Sequence, residues 1–250
     1  MLGHVVTKYF EERGYEVYNL SHRVKLNEQT KVMDVTNFRE FDQYLDSLSV
    51  DAVINCIGIL NEDAERHPDK AILLNSYLPR FLEKKYSDTA VKIIQISTDC
   101  VFSGKDGGYK EDSFRDGDTT YARTKALGEI INKKDLTIRT SIIGPDINED
   151  GIGLFHWFMK QNGTIYGFKN AYWTGVTTIE LAKGIEKFIE HNVTGIYHFV
   201  PAEKISKFDL LCIINEVFER NITILPKEDY KVDKSLVNTR DDFDYEIPAY

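Results

Sequence analysis

Tyr121 and Lys125 stand four residues apart in Tyr121-Ala122-Arg123-Thr124-Lys125, which puts both side chains on one face if residues 120–133 are helical. A phenol titrates near ~10 in water, and an ammonium a few ångströms away favours the phenolate and lowers that value. Such a phenol suits a general acid that protonates a carbonyl oxygen while hydride reaches the carbon. Spacing alone is weak ground, because Tyr230 and Lys234 repeat it. Context separates the two pairs. Tyr121 follows a mostly apolar run, 91–96, that ends in the hydroxyls Ser97 and Thr98, and it opens a segment closing on Gly128-Glu129; Tyr230 lies in a charged stretch and reads as surface.

The elements that must hold these groups alternate between strand and helix. A helix is expected over 2–10, ending at Gly14, then strands over 16–20 and 31–34, an amphipathic helix over 38–48 capped by Thr36, and a buried strand over 51–57 ending at Gly58. A helix over 69–85, kinked or restarted at Pro79, leads to strand 91–96, a Gly- and Asp-rich loop, the Tyr121 helix and strand 136–140. Alternation of this kind predicts an α/β fold, a Rossmann-like doubly wound parallel sheet whose ligand lies beyond the carboxyl ends of the strands. Residues 1–144 read as a dinucleotide-binding domain. Residues 145–250 read mainly as a small C-terminal substrate lobe interleaved with the sheet, with an aromatic helix over 154–161, short strands over 164–166 and 172–174, helices over 178–190 and 207–220 flanking strand 195–199, and a last short strand over 222–225. The charged tail 227–250 is expected to order only against the body of the lobe.

Composition narrows the class of function. A formal charge of -9 and a pI near 5.2 disfavour nucleic acid and anionic membranes, both of which would bring like charges together. No run approaches the length of a membrane helix and no signal peptide is evident. Cys56, Cys100 and Cys212 are few, odd in number and widely spaced, which fits a reducing cytoplasmic compartment and gives no zinc spacing. The six His residues are scattered without a His-x-x-x-His pattern, so no metal is expected.

Several segments together resemble the extended short-chain dehydrogenase/reductase superfamily and, within it, the dTDP-4-dehydrorhamnose reductase family. They are Met1-Leu2-Gly3-His4, Asn55-Cys56-Ile57-Gly58, Asn75, Ser97-Thr98-Asp99-Cys100-Val101-Phe102-Ser103-Gly104, Tyr121 to Lys125 with Gly128-Glu129, and Gly195-Ile196-Tyr197-His198. The resemblance covers essentially the whole chain. It implies NAD(P)H-dependent reduction of carbon 4 of a keto-sugar carried on a nucleoside diphosphate, for cell-surface polysaccharide synthesis. It implies Tyr121 as the acid, Lys125 holding the nicotinamide ribose, and Thr98 on the substrate carbonyl; on local sequence alone Thr98 also reads as a turn cap. A homodimer is an allowed assembly.

Where relatives have a full glycine loop, this chain keeps only Gly3, behind Met1 and Leu2, and it stops at Pro248-Ala249-Tyr250, where relatives continue. Both features read as truncation. At the end of the second strand, where an NAD site normally carries a carboxylate, the sequence reads Ser21-His22-Arg23. A hydroxyl and a guanidinium suit a 2'-phosphate, so NADPH is favoured and NADH remains open; the alternative for Arg23 is a solvated loop residue. Asp34 and Val35 are expected near the adenine, and Cys56, Ile57, Gly58 and Asn75 along the cofactor. Asp99, Phe155, Trp157 and Trp173 are candidates for the substrate side, with the rings equally suited to core packing. Lys160, Lys169 and Arg240 are candidates for the diphosphate.

Two rivals stay open at this stage. A sugar-nucleotide epimerase of the same superfamily would use the same Tyr and Lys. A non-catalytic nucleotide-binding subunit, resembling the regulatory subunit of methionine adenosyltransferase, would tolerate the incomplete glycine loop. Dehydration is disfavoured, because Cys100 stands where dehydratases carry Glu.

Overall fold

The computed structural model describes residues 1–148 and 151–250. The chain opens on α1 (Leu2–Glu12), whose Leu2, Val6 and Phe10 recur at helical spacing and enter the core. Gly14, at φ 84, reverses the backbone behind it. β1 (Leu20–Ser21) and β2 (Lys31–Val32) form a two-residue parallel pair. Next come α2 (Phe38–Asp46), β3 (Ala52–Asn55), α3 (Asn61–Arg66), α4 (Pro68–Ala71), a π-helical turn (Ile72–Tyr77) and α5 (Leu78–Lys85). β4 (Lys92–Ile96) follows, with a 3-10 turn (Asp99–Val101), α6 (Thr120–Leu127) and β5 (Leu136–Arg139).

The second half holds β6 (Ile142–Ile143), α7 (Leu154–Met159), β7 (Thr164–Trp173), β8 (Val176–Thr177), α8 (Thr178–Glu190), β9 (Gly195–His198), β10 (Ile205–Ser206), α9 (Lys207–Val217) and β11 (Thr223–Asp233). β9 returns to the main sheet, which runs β3-β4-β5-β9 with every pair parallel. Consecutive strand residues enter opposite layers. Ile94 meets α1 and α8 through Leu2, Val6, Leu181 and Ile185, while Ile93 meets α2 and α5 through Phe41, Leu45, Leu78 and Leu82. A third core, around Phe158, Ile165, Trp173, Leu210 and Ile214, belongs to a smaller sheet of order β10-β7-β11. The parallel sheet covered on both faces is the Rossmann-like architecture that the alternation predicts.

Four elements differ from expectation. The strand expected over 16–20 is reduced to Leu20–Ser21, because, among the described residues, 15–19 have no ladder partner on the β3 side; a hollow of about 460 Å³ separates them from residues 49–57. The helix expected over 69–85 is interrupted by the π-helical turn, and Pro79, in the first turn of α5, stands where the helix restarts. The Tyr121 helix stops at Leu127, well short of 133. β7 is one continuous strand, and the charged stretch after 225 pairs with it in parallel as far as Asp233, with an irregularity between Lys227 and Lys231. Charges there suit an edge strand, where they discourage pairing with another chain.

Candidate functional site

β4 ends at Ile96, and the chain then presents Ser97, Thr98 and Asp99 at the carboxyl edge of the sheet, all buried. Glu129 anchors this edge from behind. It accepts from Ser97 Oγ at 2.8 Å, from Arg139 at 2.7 and 2.8 Å and from Arg115 at 2.9 Å, and these partners hold its carboxyl below the usual range despite burial. A buried charge needs that degree of pairing.

The 3-10 turn fixes Thr98. Its Oγ1 accepts from Cys100 N at 3.1 Å, so Thr98 does cap a turn, and it donates to Asp99 Oδ1 at 3.1 Å. α6 delivers Tyr121 to the same place. The helix is started by Thr119, whose Oγ1 accepts from Ala122 N, and by Glu65, which accepts from Thr120 N and Oγ1. The Tyr121 phenol is 8% exposed and packs with Ala64, Ala71, Ile59 and Cys100. Burial pushes its pKa up, Cys100 adds to that, hydrogen bonding with Thr98 lowers it, and Asp99 raises it. Thr98 is thus among the groups that act on the Tyr121 phenol.

Lys125 is placed differently from the expectation that it tunes the phenol. Its ammonium donates to the Ile96 carbonyl at 2.7 Å and is not among the groups that act on Tyr121. A buried ammonium seeks the nearest strong acceptor, and the end of β4 supplies one. Burial holds Lys125 down at about 8, with Glu129 and Cys56 opposing. Gly58 leaves this ammonium open: a Cβ there would lie 3.9 Å from Lys125 Nζ and 3.0 Å from Asn75 Oδ1.

The remaining cofactor candidates divide. Gly3, Ser21 and Arg23 line one hollow of about 370 Å³ together with Met1, His4 and His22. The buried Nδ1 of His4 has no hydrogen-bond partner among the described residues. A polar hollow at the carboxyl end of β1 with a guanidinium on its wall fits the adenosine and 2'-phosphate end of a dinucleotide. Asp34 is occupied by Thr36 N and Oγ1 at 2.9 and 2.7 Å. Leu2 and Val35 face the cores, and Cys56 and Ile57 pack against them. Asn75 is fully buried and its amide joins Ile59 N, Ile59 O and Thr124 Oγ1, so it clamps the loop after β3 onto α6.

On the substrate side, Phe155 and Trp173 line a cavity of about 620 Å³. Phe155 also packs on Phe218, while Trp157 is 39% exposed and apart from that cavity. Of the diphosphate candidates, Lys169 lies 3.9 Å from Glu228, and Arg240 is engaged by Asp242, Thr194 O and Ile196 O beside β9.

Sequence reasoning missed Lys207. This residue opens α9, its Nζ stands 4.2 Å over the Trp173 ring, and burial lowers it to about 8 while Asp99 and Cys100 oppose. A cation in a first helical turn opposes the macrodipole, which was the available signal. Among the described residues no group of three His, Cys, Asp or Glu could hold a metal, and no helix is long and apolar enough to cross a membrane.

Comparison with known proteins adds independent findings. The family described as the RmlD substrate binding domain matches residues 1–234. The chain is similar to a probable low-salt glycan biosynthesis reductase of Haloferax volcanii, 26% identical over 238 residues that make up 90% of this chain and 79% of the relative. Among solved structures it is similar to a hypothetical dTDP-4-dehydrorhamnose reductase from Sulfolobus tokodaii, with TM-score 0.81, 26% identity, and coverage of 94% of this chain and 88% of that one. A dTDP-4-dehydrorhamnose reductase from Bacillus anthracis, solved in complex with NADP, shares the fold with TM-score 0.79 at 21% identity, covering 94% of this chain and 85% of that one.

Proposed function

The chain belongs to the RmlD substrate binding domain family, and from that membership we propose that it reduces the 4-keto group of a nucleotide-activated deoxysugar with NADPH. The observation that carries the reading is the meeting of Thr98 and the buried Tyr121 phenol at the carboxyl end of β4. When bound, NADPH supplies the hydride.

Everything else falls to the protein. Tyr121 donates its proton to the oxygen that gains charge, and Thr98 orients the phenol and contributes a second hydrogen bond at that oxygen. Lys125, fixed by Ile96 O, offers its remaining donors to the nicotinamide ribose beside Gly58. Gly3, Ser21 and Arg23 hold the adenosine end, and Arg23 favours a 2'-phosphate. Phe155, Trp173 and Asp99 serve the sugar nucleotide. The fold divides the work at about residue 144, with the sheet serving the cofactor and the lobe serving the substrate. Three unpaired cysteines support a cytoplasmic location, and a homodimer is the assembly to look for by light scattering.

The test is direct. Purified protein mixed with NADPH and a dTDP-4-keto-6-deoxysugar should lose NADPH absorbance and yield the 4-hydroxy sugar. Absence of turnover with tight cofactor binding would favour a binding subunit, and exchange of C4 configuration without net NADPH loss would favour an epimerase.

A further inference from the structure

We infer that the cavity of about 620 Å³ where the lobe meets α1 and α8 is a second ligand site, which takes a neutral, largely apolar molecule carrying one hydrogen-bond acceptor for the indole N–H of Trp173. The inference goes beyond the reductase reading, because none of Thr98, Asp99, Tyr121 and Lys125 lines this cavity.

The wall sets the class of ligand. Val5 of α1, Ile143 of β6, Ile179 of α8, Ile213 and Val217 of α9 and Ile247 of the tail converge on it from distant parts of the chain. Small-molecule sites of roughly 300–1,000 Å³ have this character, an apolar lining with a few placed polar groups. Among the described residues Glu180 is the one charged side chain on the wall, and its oxygens are engaged: Oε1 accepts from Tyr245 OH at 2.6 Å and Oε2 from Lys183 Nζ at 3.3 Å. A diphosphate would meet no cation there. The charged part of a sugar nucleotide therefore lies elsewhere, and a neutral molecule fits.

Trp173 supplies the polar group. It is 3% exposed, and its Nε1 has no hydrogen-bond partner among the described residues. A buried donor left unpaired is costly, and the indole has only that one polar atom with which to bind. Gly175, which also lines the cavity, shows which edge of the ring lies there: a Cβ built on it would run into Cε2 and Cζ2 of the indole, and Cε2 is bonded to Nε1.

Other polar groups on the wall are already paired. Thr177 Oγ1 accepts from Glu180 N at 3.1 Å, and Tyr250 OH donates to Gly175 O at 2.9 Å while its ring stacks on the indole at 6.1 Å. A water on Nε1 would need further polar partners of its own. A carbonyl on an apolar ligand needs none.

Benzophenone and diphenylmethane carry the same two rings on a carbonyl or a methylene, and serve as probes. Displacement of Nile red should yield a dissociation constant for each on the parent protein. The ratio in favour of the ketone should fall by roughly 5-fold or more in Trp173→Phe, which keeps a ring and loses the donor. An unchanged ratio, or a parent that binds neither probe, overturns the site; a parent of that kind that runs as a dimer in light scattering would show a second copy covering the cavity instead. Where Trp173→Phe fails to fold, the parent reads the donor directly. With 15N-labelled indoles, assigned through Trp157→Phe, the Trp173 N–H resonance should lie further downfield with benzophenone than with diphenylmethane, and coincident positions overturn the hydrogen bond. Ile213→Trp fills the cavity and should abolish binding of both probes, so retained binding places them elsewhere and sinks the inference. Saturating thymidine diphosphate should leave both constants unchanged; displacement of the probes would assign the cavity to the sugar nucleotide and overturn a second site.

Discussion

The Lys125 ammonium donates to the Ile96 carbonyl at 2.7 Å, which ties α6 to the last residue of β4 and fixes the cation beside Gly58. Its pKa is held at about 8, chiefly by burial, so it is charged below that value and neutral above it. Cofactor binding and turnover that need the charge should therefore decline as pH rises through about 8. Arginine stays protonated throughout. In Lys125→Arg the profile of kcat/KM should lose its basic limb whatever its absolute height, and a limb that persists at the same pH would assign it to another group.

Tyr121 is the proton donor of the proposed reaction, and the phenol oxygen is the single atom that phenylalanine lacks. Tyr121→Phe should reduce kcat by about 10²–10⁴-fold, the range for removal of a general acid. NADPH affinity, followed by fluorescence quenching, should stay within about twofold of the parent. Turnover equal to that of the parent would refute the assignment.

Arg23 shares its hollow with Gly3 and Ser21, and in the proposed function its guanidinium meets the 2'-phosphate. Loss of a charge-assisted hydrogen bond costs about 1.5–3 kcal/mol. Arg23→Ala should weaken NADPH by roughly 10-fold or more and leave NADH nearly untouched. Equal weakening of both dinucleotides would return Arg23 to the solvated loop.

Much of the site is legible along the chain because it depends on local rules. An apolar run closed by hydroxyls marks the end of β4, and the Tyr121 segment behind it starts a helix with its own cap. What the sequence hides depends on partners brought from far away. The preference of Lys125 for Ile96 O over the phenol becomes visible only when α6 docks on β4. Lys207 acquires meaning only when β7 carries Trp173 beneath it. The short β1, paired with β2 alone among the described residues, likewise depends on its neighbours in space, which no propensity of residues 16–20 could report.

Gly128 shows how a small residue holds the site together. Its φ of -82° is open to any residue, so conformational freedom is not the reason for glycine. Space is: a Cβ would fall 1.9 Å from the carbonyl oxygen of Asn75, in the π-helical turn that precedes Pro79. Backbone cannot yield as a flexible side chain can. Gly128→Ala should destabilise the fold by about 2 kcal/mol or more, within or above the usual cost of overpacking, and should weaken catalysis by shifting α6. Urea midpoints and kcat measured on the same preparation check both parts.

His198 supplies a pH dependence with a definite sign. Its Nδ1 lies 3.0 Å from Val237 O and its Nε2 3.2 Å from Arg139 Nη1. A carbonyl only accepts and a guanidinium only donates, so the ring is neutral with its proton on Nδ1. Burial first of all lowers its pKa to about 4; Glu111 and the Val237 bond raise it, and Arg139 lowers it. Between pH 6.5 and about 4 the unfolded chain takes up the proton and the folded chain does not. Stability from this residue is therefore complete above 6.5 and falls as the pH drops toward 4, by about 2 kcal/mol at pH 5 from linkage. In His198→Gln, whose amide can donate to Val237 O and accept from Arg139, the fall in urea stability between pH 7.5 and 5 should shrink by about that amount. Parallel pH profiles for parent and variant would show that the protonation of His198 is not what acid acts upon.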